Sequence, residues 1–446
     1  MPTTRPHHAR PFNSYHDLLR RPWLVCVLLL GLAVQATPAL AEADAETPNR
    51  TTVVWITIDG VRHDYVHRAN TPALDRLIAT GLHTRALVPT FPSVTFASHA
   101  SQATGVLPRD HGVPANAFYD RRRQRTYHYP PFANLLQAEP IWFTATRQQI
   151  RTAVGDWPLA HWQEHHHIQT AHHNQRFDAQ LSDRERLEQL IDVWQNDTHE
   201  QPLQLLMTWI GDVDKVGHEA GPDAPEVVET FEQTDVLLGW FAEAIHAQWQ
   251  RTARDGDTLY LLLTTDHGMA VVHTLVNLYP LVGLPRDRDD ITLVTTGNVG
   301  HIHLDRVEAD DEREAIIATA LAAADKHDFI RIWRRDDLPE QWQYDHPTRT
   351  GDLVAVLTTG HTFSVRPEGV TAPIGERGGP RGMHGYDPAD EPDMLGFALI
   401  HRWPEPLGGR EIKRIEALQL HPTVARLLGI APAEGATAEP VDLAPR

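Results

Sequence analysis

The sequence predicts an α/β fold, a central and mostly parallel β-sheet flanked by helices on both faces, with a smaller cap inserted into it. Two observations lead there. Uncharged apolar runs at Thr51–Ile58, Leu203–Ile210 and Thr258–Thr264 read as strands buried on both faces, with helical patterns between them. Each run leads into an acidic segment, at Asp59, at Asp214 and at Asp266, and carboxylates beyond the carboxyl ends of parallel strands are where such sheets open into a crevice.

The bulk composition agrees with one large catalytic domain. The chain has 446 residues, of which 41% are hydrophobic and 22% charged, enough for a sizeable core and without a long low-complexity tract. Its formal charge of -19, from 40 Lys+Arg against 59 Asp+Glu, excludes gripping long nucleic acid as its main task, because that affinity comes from neutralising phosphates. A small phosphorylated substrate remains compatible, with bound metal supplying the cations.

In chain order, an Arg/His-rich stretch ends at Arg20-Arg21 and is followed by an apolar run, Trp23–Ala36, and by Ala39-Leu40-Ala41. This is the pattern of a secretory signal, 1–41, cleaved near Ala41; the run is shorter than the roughly 20 residues of a membrane span. The expected product is a domain over 42–446 in the periplasm or outside the cell, without a stable membrane anchor. The single cysteine, Cys26, lies in the leader, so the exported domain would have no disulfide.

Thr71-Pro72 predicts the start of a helix running to Gly81. A second helix starts after Pro92-Ser93, which puts Thr95 and Phe96 at its N-terminus, where free N–H groups attract anions. A long helix is expected over Pro225–Gln248. Gly217, Gly221 and Pro222 predict a loop around Asp214 and His218. The less regular stretch 277–364 reads as the cap, with β-like runs at Ile291–Val294 and Leu353–Leu357 and a helix at Glu312–Lys326. A Gly/Pro-rich loop over Pro367–Pro380 delivers His384, and a strand at Gly396–Ile400 and a helix near Pro422–Leu428 close the domain.

The chemistry-bearing residues fall into four short groups: Asp59; Asp214 and His218; Asp266 and His267; and His384. Sites rich in His and Asp without thiolate suit hydrolytic metal centres. Six protein ligands would crowd one ion, whereas two ions with open positions account for them. Taken singly, each group has a plainer reading. Asp59-Gly60 is a common turn, Asp214 and His218 at four-residue spacing are a common surface pair, and Thr95 suits a helix N-cap.

Six stretches together carry more: Thr57–Gly60, Phe91–His99, Asn116–Asp120, Asp214–His218, Thr265–Met269 and His384–Asp387. In this order they resemble the nucleotide pyrophosphatase/phosphodiesterase family (type I phosphodiesterases) of the alkaline phosphatase superfamily. The resemblance implies an alkaline-phosphatase-like fold and two Zn2+ ions, other divalent metals being possible. One would be held by Asp214, His218 and His384, the other by Asp59, Asp266, His267 and the hydroxyl of Thr95.

It further implies Thr95 as the nucleophile and a phosphothreonine intermediate. Asn116, with the backbone N–H of Phe96, would hold a phosphoryl oxygen, and Phe96 would stack on a nucleobase. A neutral Asn116 favours a singly charged diester over a dianionic monoester, which calls for a guanidinium; Arg109 and Arg121–Arg123 lie close in sequence. The second stacking aromatic should come from the segment Trp157–Phe177, where Trp162 and Phe177 are the candidates. Histidines 165, 166, 167, 172 and 173 in that segment read as a solvated rim, and His99 as a packing neighbour of the site.

The expected activity is hydrolysis of phosphodiester or pyrophosphate bonds in nucleotides or related small molecules. A phosphonate, phospholipid-headgroup or monoester hydrolase would keep the ligands and change the pocket. A non-catalytic metal-binding protein would have no need of Thr95.

Overall fold

Along Thr51–Ile58 the side chains of Val53 and Trp55 point to one side and those of Val54, Ile56 and Ile58 to the other, and both sides are buried. A strand with two apolar faces requires cover on each. In the computed structural model of the protein, which describes residues 49–163, 168–174 and 177–444, helices Pro72–Ile78, Asp183–Gln195 and Pro225–Gln250 cover one face. Helices Thr95–Thr104, Ile141–Arg147 and Leu420–Leu427 cover the other. The leader 1–41 and His165, His166 and His167 lie outside the described residues.

The central sheet has nine strands among the described residues. Its order runs Arg410–Glu411, Leu82–Val88, Gly396–Trp403, Thr258–Thr265, Thr51–Ile58, Leu205–Ile210, Thr152–Val154 and His172–His173, with Ile415–Glu416 also beside Leu82–Val88. Pairing is parallel except around Gly396–Trp403, which is antiparallel to both neighbours. Ile58 is level with Ile210 on one side and Thr265 on the other. Three strands therefore end at one height, and their next residues converge on one spot.

Two local expectations are corrected. Asp214 and His218 sit on a helix, Asp212–Ala220, and not in a loop. Gly217, taken as a loop signal, is a contact residue whose missing Cβ leaves room for the Met269 side chain, 3.1 Å from where it would stand. Gly221, at φ +98°, is where the helix stops.

Within 277–364, strands Thr292–Thr296, Val299–His303, Leu353–Leu357 and Ile330–Arg334 form an antiparallel sheet. Helix Asp310–Ala324 packs on it through Ile317 and Ala320, against Ile302, Leu353 and Ala355. The Pro367–Pro380 stretch, expected as a loop, contains a short strand, Thr371–Pro373, and one helical turn, Ile374–Arg377. No described helix is long and apolar enough to cross a membrane.

Candidate metal centre and adjoining cleft

Asp59 follows its strand directly, and Gly60 follows it at φ +69°, a conformation glycine adopts without strain. A Cβ there would meet the Asp214 backbone at 2.7 Å. Helix Asp212–Ala220 is held by the carboxylate of Asp183, which accepts from the N–H groups of Gly211 at 2.8 Å and Asp212 at 3.0 Å. The four-residue spacing then brings His218 Nε2 to 3.4 Å from Asp214 Oδ2.

The fold brings the predicted residues together in two overlapping groups, Asp214 with His218 and His384, and Asp59 with Asp214 and His267. His384 Nε2 lies 3.2 Å from His218 Nε2 and 3.7 Å from Asp214 Oδ1. His267 Nε2 lies 3.1 Å from Asp266 Oδ2, 3.4 Å from Asp59 Oδ1 and 3.3 Å from the Thr95 hydroxyl. The rings of His267 and His384 stack at 3.6 Å and join the two groups.

Two features test whether these residues fit metal ions. Asp59 Oδ1, Asp214 Oδ1 and Asp266 Oδ2 are buried without a hydrogen-bond donor, a costly state for a carboxylate unless a cation meets it. The three histidines each donate Nδ1–H to a backbone carbonyl: His218 to Gly382 at 2.7 Å, His384 to Ser93 at 3.0 Å and His267 to Gly268 at 3.0 Å. Every Nε2 lone pair is thus turned into the cluster, the second-sphere arrangement of metal-bound imidazole. Ligand atoms around a four-coordinate ion with bonds of about 2.0–2.1 Å stand roughly 3.3–3.4 Å apart, so the observed separations need little adjustment. The residues fit.

The electrostatics show the same demand for positive charge. Burial, then the neighbouring Asp266 and Asp214, push the Asp59 carboxyl well above its usual range. For Asp214, burial is outweighed by His218 and His384, which hold it down to about 2. Burial also opposes charge on His218, but the Asp214 carboxylate lifts it to about 9. The cluster holds protons where a cation would replace them.

Thr95 is the first residue of helix Thr95–Thr104; Val94 occupies the cap position and the Thr95 side chain caps no N–H. Its hydroxyl is therefore not committed to holding the helix end. One turn on, His99 is buried, with Nδ1 2.7 Å from the Thr95 carbonyl and 3.4 Å from Asp266 Oδ2, and its ring packs edge-on against Trp157. The Phe96 N–H, expected to point at substrate beside Asn116, donates to Asn116 Oδ1 at 2.8 Å. This bond sets the orientation of the amide and turns its NH2 away from Phe96.

Next to the metal residues opens a cavity of about 540 Å³. Asp59, Thr95 and Asp214 line one part of it, and Phe96, Tyr129, Phe132, Trp162, Phe177 and Trp209 supply aromatic walls. No Arg or Lys is among the described lining residues. Arg109 is paired with Asp345 and Arg121 with Asp352, while Arg123 reaches the Tyr127 hydroxyl.

Phe96 meets Tyr129 edge-on at 5.8 Å, and Phe177 stands 6.0 Å from Trp209. Tyr129, Leu159 and Trp162 all hold positive φ, at 44°, 63° and 57°, an arrangement that costs about 1 kcal/mol each for bulky residues and marks sites where backbone shape is under constraint.

Sequence reasoning missed Tyr129, Phe132 and Trp209. Trp209 donates its indole N–H to Asp59 Oδ2 at 2.8 Å, so it orients a candidate metal-ligand carboxylate while forming a cavity wall. Nothing in its apolar run marks it; only the structure shows it as the one partly exposed position of a buried strand. Tyr129 and Phe132 follow the hairpin Ala117–Asp120/Arg125–His128 in an irregular segment that has no period to read.

The family model described as type I phosphodiesterase / nucleotide pyrophosphatase matches residues 53–387. Human ectonucleotide pyrophosphatase/phosphodiesterase family member 5 is 25% identical over 415 residues, 91% of this chain and 79% of the relative. A human bis(5'-adenosyl)-triphosphatase is 25% identical over 422 residues, covering 92% and 84%. Among solved structures, murine ectonucleotide pyrophosphatase/phosphodiesterase 5, as an inactive variant in complex with AMP, superposes with a TM-score of 0.72 at 21% identity, over 86% of this chain and 96% of that one.

Proposed function

The chain belongs to the type I phosphodiesterase / nucleotide pyrophosphatase family, the metal-dependent hydrolases of phosphodiester and pyrophosphate bonds, and from that premise we propose that it cleaves nucleotides through a phosphothreonine on Thr95, with zinc at both positions. The observation that carries this reading is the Thr95 hydroxyl, free of any capping duty, at the edge of the metal-ligand cluster and on the wall of the aromatic cavity.

Asp214, His218 and His384 would hold one ion, and Asp59, Asp266 and His267 the other, with the Thr95 hydroxyl beside it. Bound there, the two ions supply Lewis-acid charge at the reacting phosphoryl group. Thr95 Oγ, its proton given up to solvent, attacks phosphorus and forms a P–O bond as the bond to the leaving group breaks and its electron pair stays on the departing oxygen; water then attacks phosphorus, and the Thr95 oxygen leaves and regains a proton. Two in-line displacements retain configuration at phosphorus.

Asn116 offers its amide NH2 to a non-bridging oxygen, and a neutral donor without a guanidinium in the described lining suits the single charge of a diester. A base carried by the diester would lie among the aromatic walls, where stacking contributes roughly 1–3 kcal/mol. Resemblance to proteins named for nucleotide pyrophosphate and bis(5'-adenosyl)-triphosphate cleavage supports the same substrate class.

The test is hydrolysis by the zinc-loaded protein of a p-nitrophenyl ester of AMP against p-nitrophenyl phosphate, with a chelator control. The expected outcome is strong diester preference abolished by chelator and restored by zinc. Preference for the monoester would overturn the role given to Asn116, and activity indifferent to chelator would overturn the metal reading.

A further inference from the structure

Asp156 and His161 line the same cavity and take no part in the metal cluster. Each is 2% exposed. His161 is fixed by its backbone, whose N–H donates to Pro131 at 3.1 Å and whose carbonyl accepts from Ala133 at 2.8 Å, and its ring stands edge-on to Phe177 at 6.0 Å. Its Nδ1 is 2.6 Å from the Asn174 carbonyl. A carbonyl only accepts, so the proton sits on Nδ1 and Nε2 is a lone-pair acceptor. Burial pushes the imidazole below its usual range, opposed in part by the Asn174 carbonyl and Asp156.

The Asp156 carboxylate is already compensated. Arg186 binds Oδ2, and Asn174 Nδ2 donates to Oδ1 at 3.2 Å. Arg186 in turn lies 5.1 Å from the Phe177 and Trp209 ring centres, with its Nη2 donating to the carbonyls of Asp178 and Leu181. What is left open is the space between Asp156 Oδ1 and His161 Nε2, which stand 3.7 Å apart. Among the described residues no hydrogen is shared between these two acceptors, and a donor entering from the cavity would serve both.

Resting on the nucleotide reading above, we infer that Asp156 and His161 select the base, accepting the hydrogens of an exocyclic amine, as on adenine, while the aromatic walls hold its ring. A keto oxygen in the same place, as on hypoxanthine, brings a third acceptor against two. A quaternary ammonium has no N–H to donate and would meet a carboxylate whose charge Arg186 already balances.

The experiment compares kcat/KM for the p-nitrophenyl esters of AMP and IMP, which differ in the 6-substituent and in the proton that hypoxanthine carries on the neighbouring N1, in the wild type, His161→Phe and His161→Gln. The wild type is expected to favour the AMP ester roughly 10- to 100-fold, since a site built around a hydrogen bond rejects a partner that cannot make it. His161→Phe keeps a planar ring without an acceptor and should bring the ratio close to one; His161→Gln restores a carbonyl acceptor and should keep part of it.

Equal turnover of both esters by the wild type, or a ratio that survives in His161→Phe, would overturn the inference and leave nucleotide hydrolysis standing. The wild-type ratio decides alone if His161→Phe does not fold. Failure of the wild type to cleave either ester overturns the nucleotide reading together with this one.

Discussion

The two halves of the cleft are built differently. The metal-ligand half comes from the ends of three adjacent parallel strands and from two helices, with His384 supplied by a connecting segment; Asp266 and His267 are 1% and 0% exposed, and three carboxylate oxygens lie there without donors among the described residues. The aromatic half comes mostly from connecting segments, joined by Phe96 from a helix and Trp209 from a strand, with Tyr129 65% and Phe177 41% exposed and three residues at positive φ. Rigid strand ends can hold charges at fixed separations, as the chemistry requires. Loops can change shape from one relative to another without disturbing those separations. The first half should govern turnover and the second half the choice of substrate, and substitutions can separate them.

The largest effect is expected for Thr95→Ala. Removing a nucleophile costs on the order of 10^4-fold or more in kcat, while zinc content and melting temperature should stay near wild type, because Thr95 does not occupy the cap position of its helix and the carboxylate and imidazole groups of the cluster remain to hold the ions. Residual activity within tenfold of wild type, measured with metal content confirmed, would end the covalent mechanism.

On the other side of the comparison, Phe177→Ala or Trp162→Ala should raise KM for nucleotide diesters roughly 5- to 100-fold through lost stacking, with kcat little changed and with no effect on a small diester that carries no base. A matching fall in kcat would show that the halves are not separable.

The smallest effect is expected where the halves meet. Trp209→Phe keeps the ring beside Phe177 and removes the N–H that holds Asp59 Oδ2. Zinc affinity, read by titration of the metal-free protein, should fall about tenfold or more, as for other outer-sphere partners of metal ligands, with KM for nucleotides nearly unchanged. Unaltered zinc affinity would assign Trp209 to the aromatic half alone.

These two halves were unequally legible. Asp59, Asp266 and His267 stand directly after apolar runs whose length and lack of charge mark buried strands, so both the sheet and the candidate ligands could be read together. The helix carrying Asp214 and His218 could not. Gly217 is a weak helix former by local propensity, and only its packing against Met269 shows why glycine is there.

His384 was placed by family resemblance alone, since nothing local distinguishes a histidine in a glycine-rich loop. Trp162 and Phe177 were candidates by position, whereas Tyr129 and Phe132 had no signal at all.

By itself, then, the sequence determined the elements whose burial repeats with a fixed period: the doubly covered strands, the helices between them, and the charged residues that follow the strand ends. Only the tertiary structure decided what lies between elements distant in the chain. The approach of His384 to His218, the indole of Trp209 on Asp59, and the opposed acceptors of Asp156 and His161 are such cases. Periodicity records which face of an element is buried; it carries no record of which other element covers that face, and these contacts are made there.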